Sequence, residues 1–169
     1  MKLHVIPVEK FKLDGGASYG VVPKSIWSKF HPADENNMVD VCIRLLLIET
    51  GDQRILIDSG IGNKQDAKYL SHFYITGNTL EQGLATKGFK PSDITDVILT
   101  HLHFDHAGGS TIYNADKTRV IPFFQNANMY CSRAQWDWAI NPNPREKASY
   151  FNENYVPLFE NGRLEFIHE

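Results

Sequence analysis

Four potential metal ligands stand within six residues: His101, His103, Asp105 and His106, in the run His101-Leu102-His103-Phe104-Asp105-His106. Three of the seven histidines fall there, so the segment reads as one site rather than as scattered residues. Neutral imidazoles with one carboxylate suit Zn²⁺ first, with Mn²⁺ or Fe as further candidates. In an extended segment alternate side chains share a face, so His101, His103 and Asp105 are expected to project together. His106 breaks that alternation and can face a second ion. Gly108-Gly109 lets the backbone turn tightly behind the ligands. Taken singly, each residue has a plainer role: a histidine beside an apolar strand packs in a core, and an aspartate before glycines caps a turn.

The elements that must carry these ligands follow from patterning. Asp96 to Thr100, with Val97-Ile98-Leu99 at its centre, reads as a buried strand that delivers the histidines onto a loop at a sheet edge. Val41 to Glu49 and Arg54 to Asp58, joined at Gly51-Asp52, read as a β-hairpin in the same sheet. Leu3 to Val8 reads as a short opening strand, and Asp14-Gly15-Gly16 as a turn. Ala17 to Asn37 reads as a long loop bearing Tyr19, Trp27 and Phe30, either a lid over a pocket or a loop pinned to the core by Trp27.

Ala67 to Tyr74 is expected to be helical. Thr79 with Gln82 has capping-box spacing, opening a helix over Leu80 to Lys87 that Gly88 closes. Pro91 to Ile94 reads as a turn or single helical turn. Arg119 to Phe124 and Ala127 to Cys131 read as strands, and Ser132 with Gln135 as the cap of a helix through Ala139. Glu146 to Leu158 is expected to be helical until Pro157, and Arg163 to Ile167 to be a strand. Trp136 and Trp138 diverge by about 200° on a helix, so one at most faces a given pocket. Phe104 is a candidate wall of the metal loop.

Composition bounds the whole. The chain has 169 residues, 42% hydrophobic and 22% charged, with a formal charge of −3, which suits a single α/β domain with a real core over 1–169. The slightly acidic balance gives no electrostatic reason to expect nucleic acid or a membrane surface as a partner. No apolar run is long enough to span a bilayer. Cys42 and Cys131 are too few for a disulfide scaffold and are expected to be two buried thiols, with a reducing cytoplasm as the compartment.

Thr100-His101-Leu102-His103-Phe104-Asp105-His106-Ala107-Gly108-Gly109 resembles the signature of the metallo-β-lactamase superfamily. Ile55-Leu56-Ile57-Asp58-Ser59-Gly60 resembles its upstream strand-Asp-x-Gly motif, and Asp14 to Gly62 looks most like the lactonase and organophosphate-hydrolase-like branch. The resemblance implies an αββα sandwich with metals at one edge of the sheets. His101 and His103 then match ligands of the first metal site, Asp105 and His106 match ligands of the second, and Asp58 matches the carboxylate that supports the metal loop from behind. It also implies a hydrolase that uses a metal-bound hydroxide on a small-molecule substrate, lactones or esters first, with two Zn²⁺ in the complete site. Asp105 would orient the attacking oxygen or carry a proton to the leaving group.

The pattern also departs from the family. A third histidine of the first site, a bridging acid and a last histidine are expected downstream, yet only His168 follows the signature, without the family's Gly-His-Ser/Thr setting. The chain therefore reads as the N-terminal portion of such an enzyme. Its missing ligands would come from a second chain or a remainder, and its exposed sheet edge and apolar surface would favour association, including with itself. The competing classes are an iron-dependent oxidoreductase on the same ligand set, a nuclease, which the charge counts against, and a non-catalytic fragment that assembles with a partner.

Overall fold

The computed structural model describes residues 1–167; His168 lies outside the described residues. In chain order the elements are β1 (Lys2–Asp14), α1 (Gly15–Tyr19), α2 (Lys24–Trp27), β2 (Met38–Thr50), β3 (Gln53–Ile57), α3 (Ala67–Ser71), β4 (Thr76–Gly77), α4 (Leu80–Ala85), β5 (Asp96–Ile98), α5 (Phe104–Ala107), β6 (Thr111–Tyr113), β7 (Val120–Pro122), β8 (Asn128–Ser132), α6 (Arg133–Ile140), α7 (Val156–Glu160) and β9 (Leu164–Ile167).

One mixed sheet has the order β4-β1-β2-β3-β5-β8-β9, and β6-β7 form a separate two-stranded sheet. From β4 to β3 every pairing is antiparallel. From β3 onward every pairing is parallel. Antiparallel neighbours need only turns, whereas parallel ones need a crossover. The stretch carrying α3 and α4 is the crossover from β3 to β5. Because β3 and β5 run the same way, the segments that follow them, Asp58 to Gly62 and Leu99 to His106, emerge at the same edge of the sheet. Residues 42 or more positions apart in sequence meet there for that reason.

The pleat sorts the side chains. Ile6, Leu45, Leu47, Leu56, Val97 and Met129 are buried on one face, packed with Leu80 and Leu84 of α4 and Trp136 and Ala139 of α6. Thr79 holds α4 with the expected reciprocal cap: its Oγ1 accepts from Gln82 N–H at 3.3 Å, and Gln82 Oε1 accepts from Thr79 N–H at 2.9 Å. On the other face Leu46, Ile48, Ile55, Ile57 and Ile98 are half-buried, while Leu3 and Val5 are exposed. The described residues thus form a sheet with helices on one side and a second side that is apolar around these residues and carries Asp40, Arg44 and Glu165 beyond them.

Several expectations need correcting. β1 does not stop near Pro7 but continues to Asp14. Its register with β2 slips between Pro7 and Lys10, a bulge that absorbs the proline's missing donor. Asp14 is a helix cap rather than a turn residue, its Oδ1 accepting from Ala17 N–H at 3.0 Å. The following loop holds two short helices and is pinned. Trp27 is buried and stacks on Tyr19 with ring centroids 4.8 Å apart. A Cβ on Gly15 would strike the Trp27 ring, so the pinning depends on that glycine.

The helix expected from Glu146 is instead two 3₁₀ turns followed by α7, and Pro157 lies in the first turn of α7 rather than at a helix end. Proline's missing N–H has no intrahelical acceptor at that position in any case. Only the first half of the Ser132 box forms: Ser132 Oγ accepts from Gln135 N–H at 3.1 Å, while the Gln135 side chain donates to Tyr150 Oη. β7 pairs with β6, a strand that patterning did not suggest. Cys131 is buried, but Cys42 is exposed on β2.

Candidate metal centre

Asp58 follows β3 in the left-handed region, at φ 61°, a conformation that Asp tolerates better than most residues. Its N–H donates to Ile98 O on β5 at 2.9 Å, which aims the side chain across to the segment after β5. There Oδ1 accepts from Thr100 N–H at 2.8 Å, both carboxylate oxygens accept from Thr100 Oγ1 at 2.9 Å, and Oδ2 accepts from His106 Nδ1 at 2.8 Å. Turn-capping and histidine-holding are therefore one arrangement.

The expected extended presentation holds only in part. His101 and His103 lie on non-helical backbone, but Asp105 and His106 belong to α5. A single helical turn carries them over the two earlier histidines. The His101 ring centroid lies 3.9 Å from that of His106 and 4.7 Å from that of His103. His106 Nε2 is 3.5 Å from Asp105 Oδ2. All four residues of the motif are brought together with Asp58, and none sits apart.

Their electrostatics are unequal. Burial pulls the His106 pKa down, but hydrogen bonds to Asp105 and Asp58, with their charges, outweigh it and lift it from 6.5 to about 9. Burial pushes Asp105 up, yet the pairing with His106 outweighs that and holds it below the usual carboxylate range. His101 and His103 are held below the usual histidine value, first by burial, and for His101 next by the neighbouring imidazoles. At neutral pH His101 and His103 therefore present unprotonated nitrogens, and His106 is a cation between two carboxylates.

The donor set fits a divalent ion of the zinc type: three imidazoles, one carboxylate, and a buried His103 Nε2 with no hydrogen-bond partner. The fit is partial. Among the described residues no three His, Cys, Asp or Glu side chains are already placed to hold an ion together. Asp58 and Asp105 are turned toward His106.

The loops behind these four side chains are locked backbone to backbone. Ser59 N–H donates to His106 O at 2.7 Å, and Ser59 Oγ bonds both His106 O at 2.9 Å and Ser110 Oγ at 2.8 Å. A Cβ on Gly108 would land on Ile61 O, and one on Gly109 on Ser59 O. These two glycines are needed for close approach. Buried Lys64 donates to Gly108 O and, at 2.8 Å, to Thr111 O; burial pushes its pKa down to about 8.

The chain fits known proteins along this frame. Residues 45–112 match the family model of the metallo-beta-lactamase superfamily. A solved structure described as a probable metal-dependent hydrolase, from Staphylococcus aureus, is 34% identical and covers 99% of this chain and 59% of its own, with a TM-score of 0.87. The metallo-beta-lactamase superfamily pattern thus runs through residues 45–112 of this chain, the stretch that holds Asp58 and the His101-to-His106 motif. An N-acyl homoserine lactonase of Bacillus cereus is 27% identical over an alignment of 167 positions that covers 92% of this chain and 56% of that protein. A dizinc quorum-quenching lactonase, solved with a product, shares the superfamily fold at a TM-score of 0.72 and 22% identity. The chain thus spans little more than half the length of these relatives.

Residues that patterning did not single out border the site. The Tyr150 ring meets His103 edge-on at 4.7 Å between centroids. Tyr69 packs edge-on against Phe104, and burial and then the charge of Asp105 push its hydroxyl pKa up to about 12. Phe104 itself is buried with Phe11 and Ile61, as a wall of the loop. Neither tyrosine carries a spacing signal. His4, His31 and His72 take no part: His4 pairs with Glu49, His31 Nδ1 lies 2.5 Å from Tyr19 Oη, and His72 ends α3 at the surface. Among the described residues no helix is long and apolar enough to cross a membrane.

Proposed function

We propose that this chain carries one half of the active site of a metal-dependent hydrolase acting on lactones or esters, with Zn²⁺ as the resident ion. The observation that supports it is the convergence of His101, His103, Asp105 and His106 at the C-terminal edge of β5, with Asp58 bonded behind them. His101 and His103 would hold one ion, and Asp105 and His106 a second. When bound, such ions acidify a water near neutral pH and polarise the carbonyl under attack.

The protein's own groups supply the rest. Asp58 holds the proton on His106 Nδ1, which leaves Nε2 as the donor atom. Asp105, ionised at neutral pH, can take a proton from the attacking water and return it to the leaving oxygen of an opened ring. The aromatic wall of Tyr69, Phe104 and Phe151 borders the loop with apolar surface suited to an acyl group.

Four side chains from one loop do not complete two metal sites. The remaining ligands would come from polypeptide that packs on the half-buried apolar face of the sheet, either a remainder of the same protein or a partner chain. The chain by itself is then expected to bind metal weakly and to turn over little. The test is elemental analysis and a panel of an acyl homoserine lactone, an aryl ester, a phosphotriester and a β-lactam, run on this chain alone and on the product of its coding sequence read beyond Glu169. Zinc and lactone or ester hydrolysis by the longer product support the reading. Iron with redox activity, or robust two-metal hydrolysis by the 169-residue chain alone, contradicts it.

A further inference from the structure

A cavity of about 390 Å³ lies on the helix-covered side of the sheet, between β1, β4, the start of α4 and β6, and none of His101, His103, Asp105 or His106 lines it. Its wall is mostly apolar, with Leu70, Ile75, Leu80 and Phe123 prominent. Two carboxylates line it, Glu9 and Glu81, and no lysine, arginine or histidine does.

Glu9 is there because of the bulge in β1. Regular alternation after buried Val8 would send Glu9 to the opposite face; the slip between Pro7 and Lys10 turns both residues inward. Glu9 is only 6% exposed, and its Oε2 has no hydrogen-bond partner. Gly60 makes room for it, since a Cβ there would meet that oxygen. Burial holds the carboxyl above its usual range, partly offset by N–H groups of Glu9, Gly62 and Ile61. A buried carboxyl without a counter-charge is unfavourable, and a cation brought to it removes that penalty.

We propose that this cavity binds a small amphiphilic amine, its ammonium paired with Glu9 and its alkyl part packed on Leu70, Ile75 and Phe123. No covalent bond changes. Glu9 pairs with the ammonium as a carboxylate, and any proton it carries passes to solvent. The site rests on neither metal nor lactone chemistry, so it stands or falls independently of the proposed hydrolysis.

The test is an NMR titration of the ¹⁵N-labelled chain with hexylammonium chloride, with 1-hexanol as the neutral control. The expected result is saturable shifts at the amides of Gly62, Gly77 and Gly109, with hexanol binding at least tenfold more weakly. Glu9→Gln is expected to weaken hexylammonium at least tenfold. Leu70→Trp, which narrows the apolar wall and leaves Glu9 in place, is expected to abolish saturation and serves if Glu9→Gln does not fold. Absence of saturable shifts, equal binding of hexanol and hexylammonium, or shifts centred on His101 to His106 would overturn the proposal.

Discussion

Replacing Asp58 by Asn removes a charge while keeping the side chain's shape. In the metal-free protein the His106 pKa is about 9 against an ordinary 6.5, a difference worth at most ~3 kcal/mol. Two carboxylates share that effect. The His106 side chain is 34% exposed and that of Asp58 13%, so solvent screening reduces the Asp58 share to about 1–1.5 kcal/mol.

The sign follows from the direction of the shift. A histidine whose folded pKa is raised stabilises the fold fully below pH 6.5 and loses that contribution as pH rises through about 9. Asp58→Asn is therefore expected to lower Tm by about 3–5 °C at pH 6, and by clearly less at pH 10, where His106 is neutral in both proteins. Any lost Thr100 hydrogen bond contributes equally at both pH values and so cancels in the difference. Thermal unfolding in chelator-treated buffers, with NMR titration of the His106 ring, reads both quantities. A destabilisation independent of pH, or a wild-type His106 titrating near 6.5, would refute the reasoning.

Other outcomes follow from the same contacts. Gly108→Ala drives a methyl into Ile61 O and is expected to cost over ~3 kcal/mol or to prevent folding, read by denaturant unfolding. Thr79→Ala removes half of the α4 capping box and is expected to cost about 1 kcal/mol, with the zinc response unchanged. Zinc binding is expected to release protons from His106 and to strengthen as pH rises from 6 toward about 9, measurable by calorimetry in buffers of different ionisation enthalpy.

The His101-to-His106 cluster was legible because its four members stand within six residues and their chemistry is specific. Patterning showed a strand closed by small residues at Asp58, and the supporting role of Asp58 was legible only through the resemblance to the superfamily's strand-Asp-x-Gly motif. Their meeting depended on β3 and β5 being parallel neighbours, and local periodicity carries no information about strand order. The extended presentation failed at Asp105 because four residues form a helical turn too short to leave a periodic signal. The bulge that buries Glu9 and the turns around Tyr150 were hidden for a related reason: each is set by long-range packing. Pro157 was misread because proline ends some helices and begins others, and only the flanking turns decide which.

The central claim is that His101, His103 and His106, and not the other described histidines, receive a divalent ion. Zinc titration of the ¹⁵N-labelled chain, followed at the imidazole nitrogens, tests it directly. The account predicts that these three rings shift together, weakly in this chain alone, with His4, His31 and His72 unmoved. Zinc that shifts the latter set, or that leaves His101, His103 and His106 unchanged at saturating concentration, would contradict it.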